Sequence, residues 1–304
     1  MEMDKMTLQE TRKDSLGNDL LTWQIGKVQI SRIVEFLVPA PPELLFTGAT
    51  SDHVARNEWL KPNFVDADDQ LLVSIHGFIV ESCGKTIMVD SCVGNAKKRD
   101  NPYFNMLQTS FYDDLLAAKF RPSEFDIVLC THLHADHCGW STRLSADEWI
   151  PTFPNARYLI GRIEYENMMA GNTLEGDWNK IYLDTITPLI SAGICDFVES
   201  DYRITSEVRL LETHGHTPGH VSVLIESDGQ SAVITGDVIH HPIQLAEPAL
   251  GSAQDTNPEL AASTRGQFVK RFADTETLIL GSHFATPTAG WIFTNGDAWR
   301  LRTS

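Results

Sequence analysis

The chain reads as an α/β protein in which two packed sheets carry helices on their outer faces. Three observations predict this. Residues 20–38 and 71–95 alternate apolar and polar residues on either side of short turns, as paired strands do. The run Asp126–Cys130 is short and apolar, like a buried strand. The second half, from Ser206, repeats the outline of strands followed by a helix, and such an order suits two sheets with helices outside.

Taken in order, residues 1–18 show no periodicity and are expected to form a flexible arm, leaving 19–304 as one domain. Residues 20–38 predict two strands around a turn at Ile25-Gly26-Lys27. The Pro- and Gly-rich stretch up to Gln70 is long for a plain connection, which suggests a binding loop or lid. Residues 71–95 predict a second hairpin around Cys83-Gly84-Lys85. Asp90, at the end of its apolar run, either supports a ligand from behind or caps a turn. Met106, Leu107, Phe111, Leu115 and Leu116 have helical spacing within Asn105–Phe120.

Beyond the strand Asp126–Cys130, the pattern predicts a strand over Ala156–Gly161 and helices over Ile163–Met169 and Ile181–Ala192. The polar segment Gly171–Lys180, with Trp178, reads as a second loop over the site. A strand over Ser206–Glu212 leads to a hairpin, Val221–Glu226 with Ser231–Thr235, around Asp228-Gly229. Residues 241–257 read as irregular, Pro258–Ala273 as a helix, and Thr277–Leu280 as a last buried strand.

The chain has 304 residues, 42% hydrophobic and 21% charged, with room for a proper core. No stretch has the apolar length of a membrane span, and the N-terminus has no apolar signal segment, so a cytoplasmic protein is expected. Five scattered cysteines fit reduced thiols in that compartment. A net charge of −17 repels a phosphate backbone and argues against nucleic acid. A small-molecule substrate is the expected partner, and a homodimer is left open.

The chemistry concentrates in Thr131–Trp140, THLHADHCGW, which holds His132, His134, Asp136 and His137 in six positions. Imidazole and carboxylate are the usual ligands of zinc and similar divalent ions. Further candidates each lie just past an apolar run: His216 after RLLETHG, Asp237 after AVITG and His283 after LILGS. Strand ends on one rim of a sheet converge in space. His132, His134 and His216 would then make one site, Asp136, His137 and His283 the other, and Asp237 would bridge them. Cys138 beside the cluster is either a further ligand or a small core residue.

HLHADH, then HTPGH, TGD and a late GSH resemble the metallo-β-lactamase superfamily, over residues from about Leu71 to the C-terminus. The resemblance implies an αββα sandwich, two metal ions, most often zinc, and hydrolysis by a metal-bridging hydroxide. It makes the first His of HTPGH the ligand, His216 rather than His220, and leaves His214 and His220 to packing or support. Asp237 stands where true β-lactamases carry Cys, which disfavours antibiotics. The segment GDVIHHPIQLAEP is similar to methyl-parathion-hydrolase-type enzymes, and the same ligand set occurs in lactonases and thioesterases. Lactonases often carry a Tyr three residues past the bridging Asp; here it is His240, which either steadies an oxyanion or leaving group or is structural.

The expected activity is hydrolysis of a small neutral ester or lactone. The alternatives are a phosphotriester or thioester on the same site, or a mononuclear iron persulfide dioxygenase on the same scaffold. Asp136 is expected to orient or deprotonate the water. Trp140 and Phe284, adjacent to ligands, are candidate substrate walls, whereas Phe46 and Trp291 are better read as core. Few basic residues flank the motifs, Arg143 and Arg162 being nearest, which fits a neutral substrate.

Overall fold

A computed structural model describes residues 12–170 and 176–303. The first sheet begins with β1 (Thr22–Ile25), β2 (Val28–Ala40), β3 (Leu71–Ser82) and β4 (Lys85–Val89), paired antiparallel in sequence order. β5 (Ile127–Cys130) then joins β4 in parallel. A small hairpin, β6 (Thr142–Ser145) with β7 (Glu148–Pro151), stands apart from the sheet. The sheet resumes with β8 (Arg157–Gly161) and β9 (Cys195–Val198), again parallel. The second sheet runs in sequence order through β10 (Val208–Glu212), β11 (Val221–Ser227), β12 (Gln230–Ile234), β13 (Leu278–Leu280), β14 (Ala289–Asn295) and β15 (Ala298–Arg302). Only its β12–β13 pair is parallel.

The alternation along each strand decides the layers. Ile87 and Val89 of β4 face inward, meeting Val223 and Ile234 of the other sheet in a shared core. Met88, between them, faces outward to Phe111 and Leu115 of the helix Phe111–Ala117. On the far side, Phe268, Val269 and Phe272 of the helix Pro258–Phe272 cover Leu224, Val233 and Ile279. That helix starts where Asn257 accepts the Leu260 amide and Pro258 needs no donor. Helix, sheet, sheet and helix therefore stack as expected. No helix among the described residues is long and apolar enough to cross a membrane.

Several expectations need correction. The arm was expected over 1–18; residues 1–11 lie outside the described part, and residues 12–18 are fastened to the fold. Arg12 pairs with Glu81 at 2.6 Å and the Ser15 amide donates to Asp114 at 2.9 Å. The helix expected over 105–120 covers only Phe111–Ala117, since Met106 takes a φ of +53° that breaks a helix. Of the expected loop at 171–180, residues 171–175 lie outside the described part, and Gly176–Ile181 is helical. This helix continues through a π-helical turn, Tyr182–Ile186. The strands β6, β7, β9, β14 and β15 had no clear periodic signal.

Candidate metal centre

The chemical side chains all follow the C-terminal ends of strands. After β5 the chain carries His132 and His134, then one short helix, Ala135–Cys138, that holds Asp136 and His137. β10 leads to His216, β12 to Asp237 and β13 to His283. Asp237 sits at a kink just after Gly236, whose φ is +54° and where a Cβ would lie 2.5 Å from His220 Nε2. His132, His134, His216 and Asp237 form one group of mutually close donor atoms; Asp136, His137 and His283 form another.

Asp237 faces both groups, one oxygen to each. Its Oδ2 lies 3.7 Å from His132 Nε2 and 3.3 Å from His216 Nε2. Its Oδ1 lies 3.4 Å from His137 Nε2 and 3.1 Å from His283 Nε2. Between rings, His134 Nδ1 and His216 Nε2 are 3.0 Å apart, and the Nε2 atoms of His137 and His283 are 3.1 Å apart.

The far side of four of the five rings explains why their nitrogens suit a cation. His137 Nδ1 donates to Asp90 at 2.9 Å, His216 Nδ1 to Asp255 at 2.9 Å, and His283 Nδ1 to the Ser74 carbonyl at 3.1 Å. His132 Nδ1 reaches Thr131 Oγ1 at 3.1 Å, while that hydroxyl donates to Asp90. A neutral imidazole with one N–H committed offers only a lone pair on its other nitrogen. Four Nε2 lone pairs thus converge on a carboxylate, and His132 Nε2 and Asp237 Oδ1 are buried with no hydrogen-bond partner. An electron-rich cluster of this kind fits divalent cations.

The electrostatics differ between the two groups: burial favours neutral rings in the first, and the carboxylates favour positive charge in the second. Burial, then His216, pushes His134 down to about 3, and burial holds His132 and His216 well below the ordinary imidazole range. For His137, burial opposes the charge, but Asp237, Asp90 and Asp136 more than offset it and raise the pKa. Asp237 is held well below the carboxylate range by His137, His283 and His240, despite complete burial.

All seven expected donors therefore meet at one place. Asp90 is a support, since it grips His137, the Thr131 amide and the Thr131 hydroxyl at once. His220 is another support, its Nε2 accepting the Asp237 amide at 2.7 Å. His214 bonds to Ser200 instead. Cys138 stands outside both donor groups; its thiol, pushed up to about 12 by burial, donates to the His134 carbonyl. Asp255 was missed, lying in a segment whose sequence reads as irregular.

His134, Asp136, Asp237, His240 and His283 open onto a cleft of about 500 Å³. Its walls are largely apolar, including Val38, Leu45, Val73, Ile75, Phe104 and Trp178, and among the described residues no Lys or Arg lines it. The two expected wall residues are not among them. Trp140 is buried on the outer face of the first sheet, stacked on Phe111 with its Nε1 donating to Glu35 at 2.7 Å. Phe284 is fully buried in the second sheet's outer core, edge-on to Phe64. Proximity to a ligand in sequence does not carry over to the cleft, because the chain turns away at once. Phe46 is fully buried, as expected. Trp178 lies 5.6 Å from the His134 ring, centroid to centroid. Among the described residues neither ring nitrogen of His240 makes a hydrogen bond, although Nε2 is 3.2 Å from Asp237 Oδ2.

Residues 73–283 match the family described as Metallo-beta-lactamase superfamily. The chain belongs to this superfamily. Among curated relatives, an N-acyl homoserine lactonase of Bacillus cereus is 31% identical over 116 residues, 38% of either chain. The chain thus spans under two fifths of that relative's length in the match. An N-acyl homoserine lactonase of Bacillus sp is 26% identical over 196 residues, 60% of this chain and 68% of the relative. Among solved structures, the hydrolase AbOPH of the beta lactamase superfamily superposes with a TM-score of 0.79 at 26% identity, covering 94% of this chain and 97% of the other. AidC, a dizinc quorum-quenching lactonase in complex with a product, has a TM-score of 0.76 at 19% identity, with the same coverage, and shares the fold.

Proposed function

We propose that this protein is a metal-dependent hydrolase of small neutral lactones or esters, using two divalent cations, most readily zinc. His132, His134 and His216 would hold one and Asp136, His137 and His283 the other, with Asp237 within reach of both groups. The observation that carries this reading is the division of Asp237 between the two groups, one oxygen to each. Bound there, two divalent cations supply Lewis acidity and a water of lowered pKa at neutral pH.

The protein's own residues do the rest. Asp136 lies on the cleft side of its group, its Oδ2 at 3.6 Å from His283 Nε2, placed to orient a water and take its proton. His240 faces the same cleft with uncommitted nitrogens and donates to the charge developing on the opened ester or its leaving group. The apolar walls take the organic part of the substrate and exclude water. Among the described residues no Lys or Arg lines the walls, so a highly anionic substrate finds no side-chain ammonium or guanidinium there.

Two kinds of relative support a lactone: N-acyl homoserine lactonases by sequence, and a dizinc lactonase by fold. A phosphotriester is the second reading, favoured by His240 in place of a Tyr three residues past Asp237. The test is turnover by the zinc-loaded protein on matched lactones, aryl esters, thioesters and phosphotriesters. Fastest turnover of an uncharged lactone or ester is expected. Preference for the phosphotriester would favour the second reading, and no turnover of any class would sink both.

A further inference from the structure

Four of the five histidines assigned to the cations are steadied through their other ring nitrogen, by Thr131, Asp90, Asp255 and the Ser74 carbonyl. His134 is the exception. Its Nδ1 faces His216, and among the described residues no hydrogen-bonding partner holds its Nε2. The placement of its ring therefore depends on the backbone that carries it.

That backbone is gripped from an unexpected direction. Glu164, in the first turn of the helix Arg162–Ala170, is only 2% exposed. Its Oε2 accepts the amide of Leu133, between His132 and His134, at 3.2 Å. Its Oε1 accepts the amide of Gly219, three residues past His216, at 2.6 Å. Glu164 makes no ion pair among the described residues. A carboxylate this buried carries a desolvation cost, here offset by backbone donors from two separate loops. The loops also meet at their roots, where the Val221 amide donates to the Thr131 carbonyl at 3.1 Å. Glu164 joins them further out, beside the ring pair. The contact also accounts for the glycine of HTPGH, since a Cβ at Gly219 would lie 2.6 Å from the Glu164 amide nitrogen.

We propose that Glu164 is a positioning residue that sets the approach of His134 to His216 through the backbone of both loops. It acts on one cation site and leaves the other untouched. The inference rests on the proposed function to the extent that these histidines hold a cation. His137 and His283 of the other group are steadied directly by Asp90 and the Ser74 carbonyl, and Glu164 makes no hydrogen bond to either.

The test uses the whole 304-residue chain and cobalt(II), whose visible absorption reports on its ligands. The two sites differ in donors, three imidazoles with a carboxylate against two imidazoles with two carboxylates, so their bands can be followed separately. Glu164→Gln keeps one acceptor but turns an amide NH2 toward the other backbone N–H; Gly219→Ala presses on Glu164 from the opposite side. Either variant is expected to keep the wild-type circular dichroism, to bind cobalt about 10- to 100-fold more weakly at the three-histidine site, and to leave the second site unchanged. Equal weakening of both sites, unchanged affinity at both, or failure of both variants to fold would overturn the inference. A wild-type protein that takes up no cobalt overturns this inference and the proposed function together. Two cobalt ions without lactone turnover would count against the substrate while this inference is still decided by the variants.

Discussion

Asp255 accepts a hydrogen bond from His216 Nδ1 at 2.9 Å, while its other oxygen takes the Ser252 amide at 3.0 Å. The pair commits the N–H of His216 away from the cleft and turns its Nε2 lone pair toward Asp237. Removing the carboxylate frees the ring to rotate and to exchange tautomers. Asp255→Ala is expected to weaken cation binding at the three-histidine site by about 10- to 100-fold, read by competition with a chelator. Unchanged affinity would mean that the hydrogen bond does not orient His216.

Trp140 belongs to the core and not to the cleft. Trp140→Phe keeps the stacking on Phe111 but loses the donor to the buried Glu35 carboxylate. A loss of about 1–3 kcal/mol of stability is expected, with KM unchanged for every substrate turned over. A selective rise in KM for bulky substrates would return Trp140 to the cleft wall.

Trp178 is a wall residue instead, beside the His134 ring and facing the cleft. Trp178→Ala is expected to raise KM by about 5- to 30-fold for lactones with a long apolar chain and by less for short ones, in line with the apolar area lost. An equal effect on both chain lengths would place the chain elsewhere.

Lys97 is fully buried, its ammonium donating to Thr142 at 2.8 Å and to Asp184 at 3.2 Å. Burial nevertheless pushes it down to about 8, below an unfolded lysine near about 10.4. Between those values the unfolded chain holds more protons than the folded one, so this residue makes stability rise with pH. The rise is at most about 3 kcal/mol from pH 8 to 10. Denaturation of wild type and Lys97→Met across this range should show the rise in wild type alone; parallel curves would contradict it.

The donors were legible in the sequence because each follows an apolar strand, and strand ends on one rim meet. The sandwich was legible for the same reason: Ile87 and Val89 alternate with Met88, and such period-two patterns assign faces. What could not be read was whatever depends on the path between strands. Asp255 and Glu164 act across 39 and 31 residues of chain, on His216 and Leu133, from segments with no motif of their own. Trp140 and Phe284 looked like walls because of their neighbours, yet the backbone turns both outward. Trp178 and Leu45 lie in segments that the sequence marked as lying over the site or as a binding loop, and they line the cleft, but their short helices and the position of Phe104 owe more to tertiary contacts than to local pattern.

The central claim is that two divalent cations, held by Asp237 and the six donors around it, drive hydrolysis of a neutral lactone. Elemental analysis and lactone turnover on one and the same preparation test it most directly, before chelation, after it, and after restoring zinc. Two divalent ions per chain, with turnover lost on chelation and regained with zinc, is the expected result. A single iron per chain, or lactone opening that survives complete removal of metal, would contradict it.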